Sequence, residues 1–146
     1  MKNFEFQLDQ RLAQDSEWLL NSKSSQWRVM NDSRYYWLLQ IPLAHNCREL
    51  YQLPAQQLAE VQQESLIVSE ILMQQTAADK LNVAALGNIV PQLHIHHIAR
   101  NQGDPAWPAP VWGHSAAQPF AADALQQRLA QLRQWLTPAI AVESGG

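Results

Sequence analysis

The chain has 146 residues, enough for one compact domain that buries roughly two thirds of the surface its unfolded form exposes. Its 47% apolar and 16% charged content excludes an intrinsically disordered chain, which would be poorer in apolar residues and denser in charge. A net charge of -3, with no segment rich in Lys and Arg, excludes a surface that gathers the phosphates of a long nucleic acid, although backbone amides can still hold one small nucleotide.

In chain order, residues 8–20 place Leu12, Trp18, Leu19 and Leu20 among polar residues, the pattern of a short helix or an ordered N-terminal arm, about residues 1–20. The first ten residues alternate polar and apolar and carry acids, unlike a secretory leader. No apolar run reaches the roughly 18 residues of a membrane span. Residues 26–30 and 35–43 are aromatic and branched, and Asn31, Asp32 and Ser33 between them have turn chemistry, so a β-hairpin is expected, with Pro42 ending its second strand. Cys47 is the only cysteine, so no internal disulfide can form; a reducing, cytoplasmic setting and an inert thiol are expected.

Between residues 54 and 78 there is no glycine and no internal proline, and Leu58, Val61, Ser65, Val68, Leu72 and Gln75 recur every three or four residues. That spacing predicts a long helix, with Pro54 acceptable in its first turn. Residues 81–86 read as a strand, Gly87 and Asn88 as a turn or bulge, and residues 89–100 as a further strand that Pro91 assigns to a strand start or edge. Residues 101–113, with two glycines, three prolines and two tryptophans, are expected to form a structured loop. A closing helix is predicted over about 121–137, ahead of a frayed Ser144-Gly145-Gly146 end.

The chemistry is concentrated in Gln92-Leu93-His94-Ile95-His96-His97-Ile98-Ala99-Arg100. Strand alternation puts Gln92, His94, His96 and Ile98 on one face and Leu93, Ile95, His97 and Ala99 on the other. Two neighbouring imidazoles are costly as core filler, because each needs hydrogen-bond partners, yet a plain surface strand can also carry them. Zinc takes three or four protein ligands, and neither Cys47 nor His45 stands at a metal-ligand spacing from His94 and His96, so no metal centre is expected. His45 and His114 each stand alone and are read as structural or surface groups.

The run from Gly87 to Arg100 resembles the signature strand of the histidine-triad (HIT) superfamily: histidine, apolar, histidine, apolar, histidine, two apolar residues, then often proline and arginine. Residues 80–83, Lys-Leu-Asn-Val, resemble the asparagine-bearing strand that precedes the signature. Residues 104–113 resemble a proteobacterial HIT-like subgroup. Anchored on Arg100, the resemblance puts Gln92 at the first histidine position, His94 at the central nucleophile and His96 at the third. A second register, with His94, His96 and Ile98 as the triad, makes His96 the nucleophile; the first also accommodates Gly87, Asn88 and Arg100 and is preferred. Gln92 departs from the family pattern and cannot shuttle a proton near neutral pH. His97 stands where the family is apolar and is read as structural.

What the resemblance implies is an α+β fold with an antiparallel sheet of about five strands and a long helix across it, in a single domain spanning 1–146. It implies a homodimer, and a nucleotide hydrolase or nucleotidyl transferase that attacks the α-phosphate through His94, with dinucleoside polyphosphates or phosphoramidate-like nucleotides as substrates. A nucleotide-binding module with little or no turnover is the alternative. Catalytic roles fall on His94, His96 and Gln92, nucleotide contacts on Asn31, Asn82, Asn88 and Arg100, and no cofactor is implied. Asn31 can equally cap its turn, Asn82 can equally close its strand, and Ile89 replaces the hydroxyl residue expected after Asn88. Trp107 and Trp112 are candidates for a lid, a dimer contact or core packing.

Overall fold

The computed structural model describes residues 6–142, so the first five residues of the expected arm and the Ser144-Gly145-Gly146 end lie outside the described residues. Five strands form one antiparallel sheet: β1 (Ser16–Asn21), β2 (Ser25–Met30), β3 (Tyr36–Pro42), β4 (Lys80–Ala84) and β5 (Ile95–Arg100), in the spatial order β1-β2-β3-β5-β4. Helices α1 (Gln10–Asp15), α2 (Ala55–Thr76) and α3 (Ala122–Ile140) complete the frame. Among the described residues no helix is long and apolar enough to cross a membrane.

The expected hairpin forms as β2 and β3, and the long helix forms as α2. Three features differ from expectation. Residues 16–21 are the edge strand β1, not helix or arm. A register shift between Trp18 and Leu20 lets Leu19 and Leu20 both be buried, which hides the period-two signal of a strand. The strand expected over 89–100 begins only at Ile95: Pro91 has no N–H to give a ladder, and the Leu93 N–H donates to the Cys47 carbonyl (2.9 Å) instead of to a strand partner. The closing helix runs to Ile140, with Pro138 in its last turn.

Alternation then divides the molecule into two layers of packing. On one face, Trp27, Val29 and Leu38 of the sheet meet Val68 and Leu72 of α2 and Leu129, Leu132 and Leu136 of α3. Leu93 and Ile95 join Val61 of α2 in a smaller cluster with Cys47 and Leu53. At ~25 cal/mol per Å² of apolar area, each fully buried Leu or Val contributes about 1.5–3 kcal/mol. Glu64 ties α2 to the β1–β2 turn: its buried carboxyl group accepts from the Ser24 N–H (3.0 Å) and from the Ser22 and Ser24 hydroxyls.

The opposite face carries Trp37, Leu39, Ile41 and Ile98 under Leu12, Val90, Ala106 and Val111. Here the cover is not a helix layer but the N-terminal segment and the proline-rich stretch 101–119. Asp104 organises that stretch: its carboxylate accepts the Ala106 and Trp107 N–H groups and pairs with Arg100 (2.7 Å). Between this cover, which includes the short helix α1, and the sheet lies the candidate site.

Candidate active site

A cavity of about 780 Å³ opens on the loop-covered face, within the roughly 300–1,000 Å³ of small-molecule sites. His94 and His96 line it together with Met30, Asn31, Asp32, Arg34, Trp37, Gly87, Asn88 and Trp112. The turn that offers Asn88 starts at Gly87 with φ 75°, a conformation that glycine adopts without steric cost.

The two histidines present opposite tautomers. His94 Nδ1 lies 2.7 Å from the Gln92 carbonyl oxygen; a carbonyl only accepts, so Nδ1 carries a proton, and in the uncharged form of the ring the lone pair is on Nε2. His96 Nδ1 lies 3.0 Å from Trp37 Nε1; an indole N–H only donates, so Nδ1 is the acceptor and Nε2 carries the proton. The two rings meet edge to face with centroids 5.0 Å apart, and Trp112 packs against His96 at 5.2 Å. Burial, with lesser contributions from His94 and His97, pushes the His96 imidazolium down to about 3.

Asp32 and Arg34 form the charged wall. Asp32 is 1% exposed and accepts the Arg34 side chain through both carboxylate oxygens (3.0 and 2.9 Å) and the Arg34 N–H through one. Burial raises the Asp32 carboxyl, but the hydrogen bonds and charge of Arg34 outweigh it and hold the group below the usual carboxylate range. Arg34 also donates to the Ser115 hydroxyl and the Ala116 carbonyl, fastening the loop cover to the β2–β3 turn.

The residues singled out in the sequence separate into two groups. His94, His96, Asn31 and Asn88 line the cavity together; Asn31 also caps its surroundings, its Oδ1 accepting the Phe120 N–H (2.9 Å). Gln92, Asn82 and Arg100 do not line it. The Gln92 side chain turns to the N-terminal segment, accepting the Asp9 N–H (2.7 Å) and donating to the Gln7 carbonyl (2.9 Å). It leaves the face shared by His94 and His96 because residues 91–94 are not strand.

Arg100 is 2% exposed, paired with Asp104, bonded to Ala109 O (2.8 Å) and held by Asn82 Oδ1 (2.8 Å). Asn82 and Arg100 thus satisfy each other beneath the loop. Trp112 lines the cavity, whereas Trp107 stacks near Arg100. His97 faces the helices with both nitrogens engaged, Nδ1 donating to Ile95 O (3.1 Å) and Nε2 accepting from the Ser65 hydroxyl (2.7 Å). Among the described residues no three of His, Cys, Asp and Glu gather as a metal would require.

Trp37, Asp32 and Arg34 were not among the residues the sequence brought forward as site residues. Trp37 enters because β3 pairs with β5, Leu39 opposite His96 and Trp37 opposite Ile98, which puts the indole diagonally beside His96 on the same face.

A loop-covered antiparallel sheet with two histidines on a nucleotide-sized cavity is the architecture of a histidine-triad protein. The HIT domain model matches residues 11–103, and the chain belongs to that family. Solved structures agree in fold and sequence. A histidine triad protein from Marinobacter aquaeolei is 44% identical, with TM-score 0.89 over 91% of this chain and 97% of that one. A histidine triad (HIT) protein from Sinorhizobium meliloti is 39% identical, with TM-score 0.86 over 90% and 97%. A histidine triad protein from Bradyrhizobium japonicum is 40% identical, with TM-score 0.86 over 90% and 98%. A search of curated proteins gave no match.

Proposed function

We propose that the protein is a nucleotide hydrolase or nucleotidyl transferase in which His94 attacks the α-phosphorus of a nucleotide. The observation that carries this reading is the 2.7 Å bond from His94 Nδ1–H to the Gln92 carbonyl, which leaves the Nε2 lone pair for attack. His94 Nε2 forms a bond to phosphorus as the bond to the leaving oxygen breaks, and the electron pair departs on that oxygen. Water then displaces the imidazole, releasing the nucleoside monophosphate. His96 donates its Nε2–H to a phosphate or leaving-group oxygen. Asn88 and Asn31 contact phosphate and ribose in this reading, while Arg100, Asn82 and the Gln92 side chain act from outside the cavity by holding its cover and the chain ahead of His94.

A second reading, a nucleotide-binding module with little turnover, is favoured by Gln92, whose side chain carries no transferable proton and is already engaged. The test screens adenosine and guanosine mono- and dinucleotides for melting shift and for product by chromatography, with His94→Ala alongside. Product that disappears in His94→Ala supports the enzyme; binding without product supports the module.

We further propose a homodimer in the cytoplasm. Among the described residues the outer edge of β4 has no strand partner, and Val83 on it and Leu66 on α2 are exposed apolar groups that a second copy would cover. Light scattering at micromolar concentration is expected to give the dimer mass.

A further inference from the structure

We infer that Trp37 is a positioning residue that locks His96 as a neutral hydrogen-bond donor, so that the cavity favours phosphoanhydride substrates over phosphoramidates. This rests on the nucleotidyl-transfer reading above. The geometry is the 3.0 Å bond from Trp37 Nε1–H to His96 Nδ1. A second proton on His96 would have to sit on Nδ1, directly against an N–H that cannot turn into an acceptor.

The surroundings reinforce the lock. Along the chain His96 has His94, just ahead of β5, and His97 for titratable neighbours, and each disfavours a further positive charge; Arg100, also on β5, is paired with Asp104. The facing residues Leu39 of β3 and Ala84 of β4 carry no charge. Asp15, Asp32 and Arg34 lie around the cavity, but Asp32 is engaged by Arg34. His96 therefore offers one Nε2–H as a hydrogen bond and no acidic proton to give away.

Leaving groups differ in what they need from such a donor. When His94 Nε2 attacks a phosphoanhydride, the P–N bond forms, the P–O bond breaks, and the pair leaves on a phosphate oxygen that is stable as an anion. A hydrogen bond is sufficient for that step. When the leaving group is the amine of a phosphoramidate, the breaking P–N pair must take up a proton. Neither the neutral His96 nor the amide Gln92, which stands in the first triad position, can supply one.

The experiment compares diadenosine triphosphate with adenosine 5′-phosphoramidate, which transfer the same adenylyl group, from pH 5 to 8, in the parent and in Trp37→Phe. In parallel, 15N NMR of labelled histidine reads the His96 tautomer. In the parent, Nδ1 is expected to stay pyridine-like and Nε2 pyrrole-like across this range, with kcat/KM higher for the anhydride by about 10²-fold, the low end of what a positioned general acid contributes. Trp37→Phe keeps an aromatic ring but removes the donor. Burial still opposes a charged ring, so the expected change is in the tautomer: Nδ1 and Nε2 share the proton, the Nε2–H donor is present only part of the time, and the anhydride preference narrows.

Equal or faster phosphoramidate turnover in the parent, or a His96 that titrates there, overturns the inference whether or not the variant folds. An unchanged preference and tautomer in folded Trp37→Phe removes the role of Trp37. Locked His96 with no product from either substrate overturns the nucleotidyl-transfer reading, and the substrate preference with it.

Discussion

His96 and His97 are adjacent in sequence, similarly buried at 4% and 0% exposure, and held neutral by that burial, the second pushed down to about 4. They differ in what is left over. On the helix side both nitrogens of His97 are satisfied, by Ser65 and by its own strand. On the loop side Trp37 takes one nitrogen of His96 and the other N–H remains for a ligand. Burial and a depressed basicity therefore do not distinguish the two histidines; what makes His96 the candidate is a hydrogen-bonding group left over at a cavity.

The sharpest way to break that contrast is to remove the proposed nucleophile on the cavity side. His94→Ala is expected to lower nucleotide hydrolysis by about 10³-fold or more while nucleotide affinity and melting temperature change little. Retained hydrolysis in His94→Ala with loss in His96→Ala would move the nucleophile to His96.

Arg100 tests whether sharing the cavity-side face is sufficient for function, since it has the same strand parity as His96 yet lies sealed under Asp104. Asp104→Ala leaves a buried guanidinium without its partner and is expected to cost about 3–5 kcal/mol in urea unfolding, with loosening of the loop cover. A loss of activity without a loss of stability would instead give the pair a direct role.

His97→Ala is expected to cost about 2 kcal/mol through lost packing and an unpaired Ser65 hydroxyl, with hydrolysis near the parent rate. The histidine pair also predicts an acid dependence. Because burial lowers both folded values below the ordinary 6.5, the unfolded chain binds more protons below that pH, and stability falls as pH drops from about 6.5 toward 4. Each histidine contributes about 1.4 kcal/mol per pH unit within its window. Removing His97 should take away its share of the slope in unfolding titrations, and an unchanged slope would mean that His97 is not the group responsible.

The smallest effect is expected from Gln92→Ala, about 1 kcal/mol for two partly exposed hydrogen bonds. The backbone carbonyl that orients His94 survives this change, so hydrolysis should fall only a few-fold while proteolysis of the N-terminal segment increases. A loss as large as that of His94→Ala would show the side chain itself at work in the reaction.

Local patterns carried part of this molecule on their own. The hairpin of β2 and β3, helix α2, the closing helix and the Gln92 to Arg100 run were legible because turn residues, a 3.6-residue apolar period and strand alternation are properties of neighbouring positions. Alternation also separated His96 from His97 correctly, with Leu93 and Ile95 on the helix side. It failed where backbone partners came from afar: β1 was concealed by its bulge, and Gln92 left the shared face because Pro91 and the Leu93 bond to Cys47 keep residues 91–94 out of the ladder. The tautomer of His96, set by Trp37, and the hold of Asn82 on Arg100 were decided only by tertiary structure. Each depends on which group from another segment reaches a given atom within hydrogen-bond distance, and neither residue type nor spacing along the chain fixes that distance.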